Sequence, residues 1–353
     1  MFHYVKKQFA APLMLAPVLL AACMAHTASA TAADLNYRVT ATQHLDGDIK
    51  WDYLAFDNDH RRLFITRGDH VDVFDLATKT VTATIPNTSG VHGVALAPEL
   101  DRGYTSNGKD NTVTVFELSS LKVVGTVPAG KKPDAILFDP ASKRIFAANG
   151  DSMDLTVIDA LTQTSVGTVS LGGKPEFSVV DGKGRLFVNI EDKNQLVVVD
   201  TKKMQVIKKY DLSSSCDEPA GLSIDQLSET LFVGCHNQKM AIVDGRNGKV
   251  LGTPAIGKGS DATVYDQASK LAFSSNGDGS LTIIGLGTKN SFEVRQTVKT
   301  MVSARTMALD PVSHNIYLVA AQMETPEASS EKTSGRRPKL KPASFTLLTV
   351  SPN

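Results

Sequence analysis

Short apolar segments recur along this chain at a nearly constant interval. They are Val71–Asp75, Val113–Glu117, Leu155–Asp159, Leu196–Asp200, Met240–Asp244, Leu281–Gly285 and Phe345–Thr349. Successive starts are separated by 42, 42, 41, 44, 41 and 64 residues, so five of the six steps share one period. Repeats of about 42 residues, each built from several short β-branched strands, stack into a ring of small antiparallel sheets. Seven repeats therefore predict an all-β, seven-bladed β-propeller.

Each repeat divides into four strands, A to D. In the second these are Gly93–Leu96, Gly103–Ser106, Val113–Leu118 and Lys122–Val127, with Asn107-Gly108 expected at a tight B–C turn needing positive φ. Aspartate closes strand A in most repeats, at Asp57, Asp139, Asp181, Asp225, Asp266 and Asp310. These repeated acids read as turn formers that hydrogen-bond the local backbone, not as catalysts. The A–B–C units are 53–75, 93–118, 135–159, 177–200, 220–244, 262–284 and 306–350. The seventh has no fourth strand of its own, and Tyr37–Leu45 alternates as a strand without a blade. We therefore expect the segment at about 37–45 to close the last blade and cover its edge. The 64-residue step contains a polar insertion, 322–344, with the basic run Arg336, Arg337, Lys339 and Lys341. It is expected as a mobile loop between strands B and C.

Residues 1–30 have the form of a secretory signal peptide, with Lys6 and Lys7 before an apolar run and Ala28-Ser29-Ala30 at its end. The remaining 31–353 are then one domain in the periplasm. Leu20-Ala21-Ala22-Cys23 also resembles a lipobox, so a membrane-anchored lipoprotein through Cys23 is the alternative, and membrane contact is expected only in that case. Cys216 and Cys235 are the other two cysteines, and an even pair in an exported protein favours a disulfide over a thiolate metal site beside His236. Removing Lys6 and Lys7 lowers the basic residues from 37 to 35 against 37 acids. Such a balance does not favour nucleic acid as partner, since phosphate binding normally needs a positive excess.

Aligning the repeats on the aspartate that ends strand A exposes one more column, at the mouth of the central channel. It reads Asp52, His92, Asp134, Glu176, Ala220, Asp261 and Arg305. Four carboxylates around one axis should raise each other's pKa or recruit a cation. Asp52, His92, Asp134 and Glu176 are the candidate ligands of a divalent metal ion, while Arg305 favours an anionic ligand. Asp52, His92, Asp134, Glu176, Asp261 and Arg305 are accordingly the expected ligand-binding set. Trp51, Arg67, Asp69, His70, Asn107, Lys109, Lys131, Lys132, Lys174, Glu191, Asp192, His236, Asn237, Lys258 and Asn276 are placed on the surrounding rim. No G-x-S-x-G, H-E-x-x-H, Walker or haem-attachment motif is present, and no catalytic residue is assigned.

Several phrases resemble the YVTN-repeat family of bacterial propellers and its YncE-like exported branch. They are Arg62–Thr66 with Val71–Thr84, Lys132–Ala135 with Phe138–Pro140, Ser274–Gly279, Cys216–Pro219 and Val233–Asn237. The resemblance implies a seven-bladed, non-enzymatic periplasmic or surface protein, with single-stranded DNA binding in one branch and no catalytic residues to transfer. The expected function is a monomeric binding or scaffold module that engages a small ligand, metal or protein partner through its loop face. The alternatives are a lactonase-like hydrolase using Asp52, His92, Asp134 and Glu176, and a single-stranded DNA or polyanion binder using the 322–344 loop.

Overall fold

The computed structural model describes residues 1–4, 35–47, 50–287, 291–324 and 340–353. The chain divides into the units Met1–Asp34 and Leu35–Asn353, and the second is seven four-stranded antiparallel sheets. Strands A to D of blade 1 are Leu54–Asp57, Arg62–Thr66, Val71–Asp75 and Thr80–Ile85. The A strands of blades 2 to 6 are Val91–Ala97, Pro133–Asp139, Pro175–Val180, Pro219–Asp225 and Ser260–Asp266. Blade 7 takes Met307–Leu309, Ile316–Ala320 and Thr346–Ser351 from the end of the chain, and its outer strand, Arg38–His44, from the beginning. Arg38 pairs with Ser351 and His44 with Thr346, which forms the expected closure.

Strands B and C have to be apolar on both sides because each blade is covered by two neighbours. Arg62–Thr66 is buried at every position, whereas the outer strand Thr80–Ile85 buries only its last residue fully. The buried side chains form seven clusters, one for each blade-to-blade interface. Phe64 faces blade 2, with Val71, Val73 and Phe116, while Leu63 and Ile65 face blade 7, with Tyr317 and Val319. The core is therefore shared around the ring.

Polar contacts fix the angle between blades. Arg62 donates to Leu118 O at 2.6 Å and Arg144 to Thr201 O at 2.7 Å, each reaching the C–D turn of the next blade. The aspartates that end strand A behave as local turn formers: Asp139 accepts from Ala141 and Ser142 N–H, and Asp310 from Val312 and Ser313 N–H. One turn differs from expectation. Asn107 is the last residue of a B strand, Arg102–Asn107, and the left-handed residue is Asn111, at φ 55°. Asn107 is fully buried because its Nδ2 donates to Thr114 Oγ1 at 2.8 Å, which holds the B–C loop shut from inside.

Cys216 and Cys235 form the expected disulfide, inside the apolar cluster between blades 4 and 5. The insertion lies between strands B and C of blade 7, and its stem is closed by a Met323–Leu340 bridge and by Lys341 N–H donating to Gln322 O. Residues 5–34, which hold most of the expected signal peptide and Cys23, lie outside the described residues, as do Arg336, Arg337 and Lys339, so Lys341 alone of the basic run is placed. Among the described residues no helix is long and apolar enough to cross a membrane.

The disulfide closes a loop of 19 residues. Replacing both cysteines with alanine should lower stability by about 3 kcal/mol. Denaturant unfolding checks this, and added reductant should then leave the double variant's midpoint unchanged while lowering that of the parent protein.

Candidate functional site

The predicted channel-mouth column is placed by a recurring backbone irregularity. In blades 2 to 6 the A–B register slips just where His92, Asp134, Glu176, Ala220 and Asp261 sit. A bulge turns a side chain away from the normal alternation of the strand. In blades 1 and 7, Asp52 and Arg305 instead precede the A strands, which start at Leu54 and Met307.

The backbone of this column is tied to adjacent blades. His92 O accepts from Tyr53 N–H at 3.2 Å, Asp52 O from Thr306 Oγ1 at 2.7 Å and Ala220 O from Asn189 Nδ2 at 2.8 Å. Asp134 O accepts from Ser106 Oγ and Arg305 O from Ser275 Oγ. Ser106, Asn189 and Ser275 are fully buried polar residues, each next to last in its B strand, Arg102–Asn107, Arg185–Ile190 and Leu271–Asn276. That shared register position was the sequence signal for them.

Three groups converge on one side of the axis. His92 Nδ1 lies 2.6 Å from Asp52 Oδ2 and 3.7 Å from Asp134 Oδ1. One ligand atom from each of Asp52, His92 and Asp134 falls within 4.8 Å of the others, a spacing a single cation can bridge. Glu176 lies outside this trio: its Oε1 is 2.9 Å from Lys174 Nζ, and that ammonium also contacts Glu191. Arg305 Nε lies 2.6 Å from Asp261 Oδ2. A second group with metal-ligand spacing, Glu191, Glu218 and His236, is found on the rim. Its Glu218 and His236 are exposed and already joined at 2.7 Å.

The electrostatics follow from burial and proximity. Burial, then the field of Asp134, outweighs Lys174 and pushes the Glu176 carboxyl up to about 8. Lys174 is itself held protonated, because two carboxylates share it and burial is overcome. Burial also pushes Asp134 up to about 6, with His92 opposing and Asp52 and Asp261 reinforcing. Asp261 is raised by burial against the lowering effect of Arg305. Burial disfavours charge on His92, but its hydrogen bond with Asp52 and the fields of Asp134 and Asp52 prevail and raise its pKa.

The channel is crossed next to this column by an aromatic contact. Tyr53 of blade 1 meets Phe177 of blade 4 edge to face across the axis, with ring centroids 5.1 Å apart. Tyr53 is buried, and burial followed by the fields of Asp261, Asp134, Asp52 and Glu176 holds its hydroxyl protonated. The polar column is thus the floor of a cup, reached from the loop face. This aromatic pair was not predicted, because contact between residues 124 positions apart leaves no periodic trace.

Rim residues divide into lining and structural groups. Trp51, Asp69, Lys109, Lys131 and Lys132 line a cleft of about 660 Å³ beside the cup, together with Lys50, Asn111 and Asp151, which the sequence had not singled out. Asn107 and Asn276 are buried, with Asn276 Nδ2 donating to Thr282 Oγ1 at 3.1 Å. Arg67 borders the cleft but is itself buried, donating to Asp72 Oδ2 at 2.5 Å and stacking on Phe345 at 4.2 Å. Trp51 packs against the same Phe345, with ring centroids 5.4 Å apart, and still contributes to the cleft wall.

These features define a seven-bladed β-propeller with a polar cup on its loop face. No family model and no curated protein sequence matches the chain. Among solved structures, a chain from the Mitotic Checkpoint Complex superposes with a TM-score of 0.73 at 12% identity, covering 99% of this chain and 98% of that one. A chain of Kuenenia stuttgartiensis Hydrazine Synthase gives 0.67 at 16% identity, covering 78% of this chain and 94% of its own. Both similarities establish the fold.

A carboxyl whose folded pKa is raised keeps its proton on folding, so stability falls as pH climbs from the unfolded value towards the folded one. For Glu176 that window runs from the ordinary glutamate range up to about 8. Glu176→Gln should therefore gain on the parent protein by about 1 kcal/mol or more between pH 5 and pH 8, and no further above it. Denaturant unfolding of the two proteins across this range checks the sign.

Proposed function

We propose that this chain is an exported, non-enzymatic β-propeller that binds a small ligand or divalent metal through the cup on its loop face. The carrying observation is the Asp52–His92–Asp134 trio, held on a bulged, cross-blade-bonded floor next to the Tyr53–Phe177 contact. A preorganised set of two carboxylates and one imidazole suits a hard or borderline cation. Arg305 and Lys174, already paired with acids, balance the rest of the column. The signal-peptide pattern of residues 1–30 and the buried disulfide support a periplasmic site of action, as such bonds persist in oxidising compartments. The resemblance to the exported YncE-like branch of YVTN propellers supports the same reading.

A hydrolase reading has one observation in its favour. Glu176, protonated near neutrality, stands close enough to Asp134 to feel its charge, and separated carboxyl pKa values are how acid and base roles are divided. Turnover on a panel of lactones with Mn2+, Ca2+ or Zn2+ supplied, lost in Glu176→Gln, would move the assignment to that class.

Metal content of tag-free protein, measured by mass spectrometry, and calorimetric titration with Mn2+ test the binding reading. We expect saturable binding that weakens about tenfold or more in Asp134→Ala. It should also weaken as pH falls below 6, where protons compete for Asp134. Equal Mn2+ binding by Asp134→Ala and the parent protein would remove the trio as the site.

A further inference from the structure

The cleft shares Asp52 and His92 with the cup and adds a group of lysines to them. Lys50, Lys109, Lys131 and Lys132 all line it, and among the described residues none of the four forms an ion pair. Three acids share its wall: Asp52 engaged by His92, Asp69 by His70, and Asp151, which forms no ion pair among the described residues. Elsewhere on this face Lys174 is matched by Glu176 and Glu191, and Arg305 by Asp261. Four ammonium groups thus outnumber three carboxylates, two of which are bonded to imidazoles, and an anion relieves the remaining repulsion among the lysines.

The cleft floor is shaped to hold these side chains. Gly90 N–H donates to Gly68 O at 2.6 Å, and Gly108 N–H to Gly90 O at 2.8 Å, forming a short staircase of glycines across blades 1 and 2. A side chain sits on every step. A Cβ on Gly68 would come within 3.1 Å of the Lys50 stem, one on Gly90 within 2.7 Å of Lys109, and one on Gly108 within 2.8 Å of His92 Nε2. Gly68 and Gly90 also have φ of +89° and +70°, which L side chains rarely adopt. Lys132 completes the arc from blade 3. Its backbone is left-handed, at φ 56°, with its N–H held by Asn111 Oδ1 at 2.8 Å, and its charge reaches both His92 and Asp134. The volume, about 660 Å³, falls within the roughly 300–1,000 Å³ of small-molecule sites.

We propose that this cleft, which borders the trio at Asp52 and His92, binds a small polyanion, a molecule with two or more carboxylate or phosphate groups, held by Lys50, Lys109, Lys131 and Lys132 against Trp51. The proposal shares the loop face with the reading above but does not require the metal trio. An anion seated here extends towards His92, so the cleft and the cup together can take a ligand whose acidic end lies among the lysines.

Trp51 is the chain's only tryptophan and lines the cleft, so its fluorescence reports occupancy directly. The full mature protein is titrated with citrate and with pyrophosphate at constant ionic strength, chloride being the monoanion control. Saturable change with at least one polyanion is expected, and which of the two binds more tightly separates carboxylate from phosphate ligands. Lys109→Ala and Lys132→Ala should each weaken it at least tenfold, with Lys109→Arg close to the parent protein. Asp134→Asn, which disables the trio, should leave polyanion binding within threefold, so loss of the metal site and loss of this one are told apart. No saturable response to either polyanion overturns the proposal, as does binding unchanged in both lysine-to-alanine variants. Binding confined to a single-stranded oligonucleotide, with citrate and pyrophosphate inert, would overturn it in favour of a polymer site.

Discussion

Every sheet in this protein has two apolar faces, and each face has to be covered by another blade. The whole structure depends on that constraint, because an open row of blades would leave a bare face at each end. Seven interfaces, each with its own buried cluster, satisfy it only when blade 7 meets blade 1. The pairing of Arg38–His44 with Thr346–Ser351 completes the last sheet and removes an open strand edge. Ring closure thus joins the two ends of the folded unit, and loss of either end disturbs both blades beside the seam.

The same packing makes the centre of the ring a place of enforced proximity. The A strands crowd around the axis, and their opening residues are turned by bulges and fixed through carbonyls bonded to neighbouring blades. Side chains that would separate in water are held together, which raises the Asp134 and Glu176 carboxyls and tightens the hold of His92 on its proton. The Tyr53–Phe177 contact next to the column ties blade 1 to blade 4 across the ring. What results is a crowded polar cup in which burial pushes Asp134 up to about 6 and Glu176 up to about 8.

Seven equivalent positions do not produce a symmetrical face. Two residues before the channel-mouth column the blades carry Lys50, Gly90, Lys132, Lys174, Glu218, Gly259 and Ser303. Lys174 and Glu218 are consumed by neighbours on blades 4 and 5, whereas Lys50 and Lys132 face the cleft. Small differences at one register position, repeated around a ring, therefore decide which side of the loop face is electropositive.

The repeat period, the strand phrases and the aspartate turns were legible in the sequence because each is a local pattern with a physical cause: two-sided burial in strands B and C, and side-chain-to-backbone bonding at Asp139 or Asp310. The channel-mouth column was legible for the same reason, since aligned repeats place aligned residues on one axis. Tertiary structure alone decided which members of that column touch. His92 turns to Asp52 and Asp134, while Glu176 turns to Lys174. It also buried Asn107, Asn276 and Arg67, which polarity had placed on the rim, and set Tyr53 against Phe177. Sequence specifies what each blade presents; distances across the axis and between loops of adjacent blades exist only once the ring has closed.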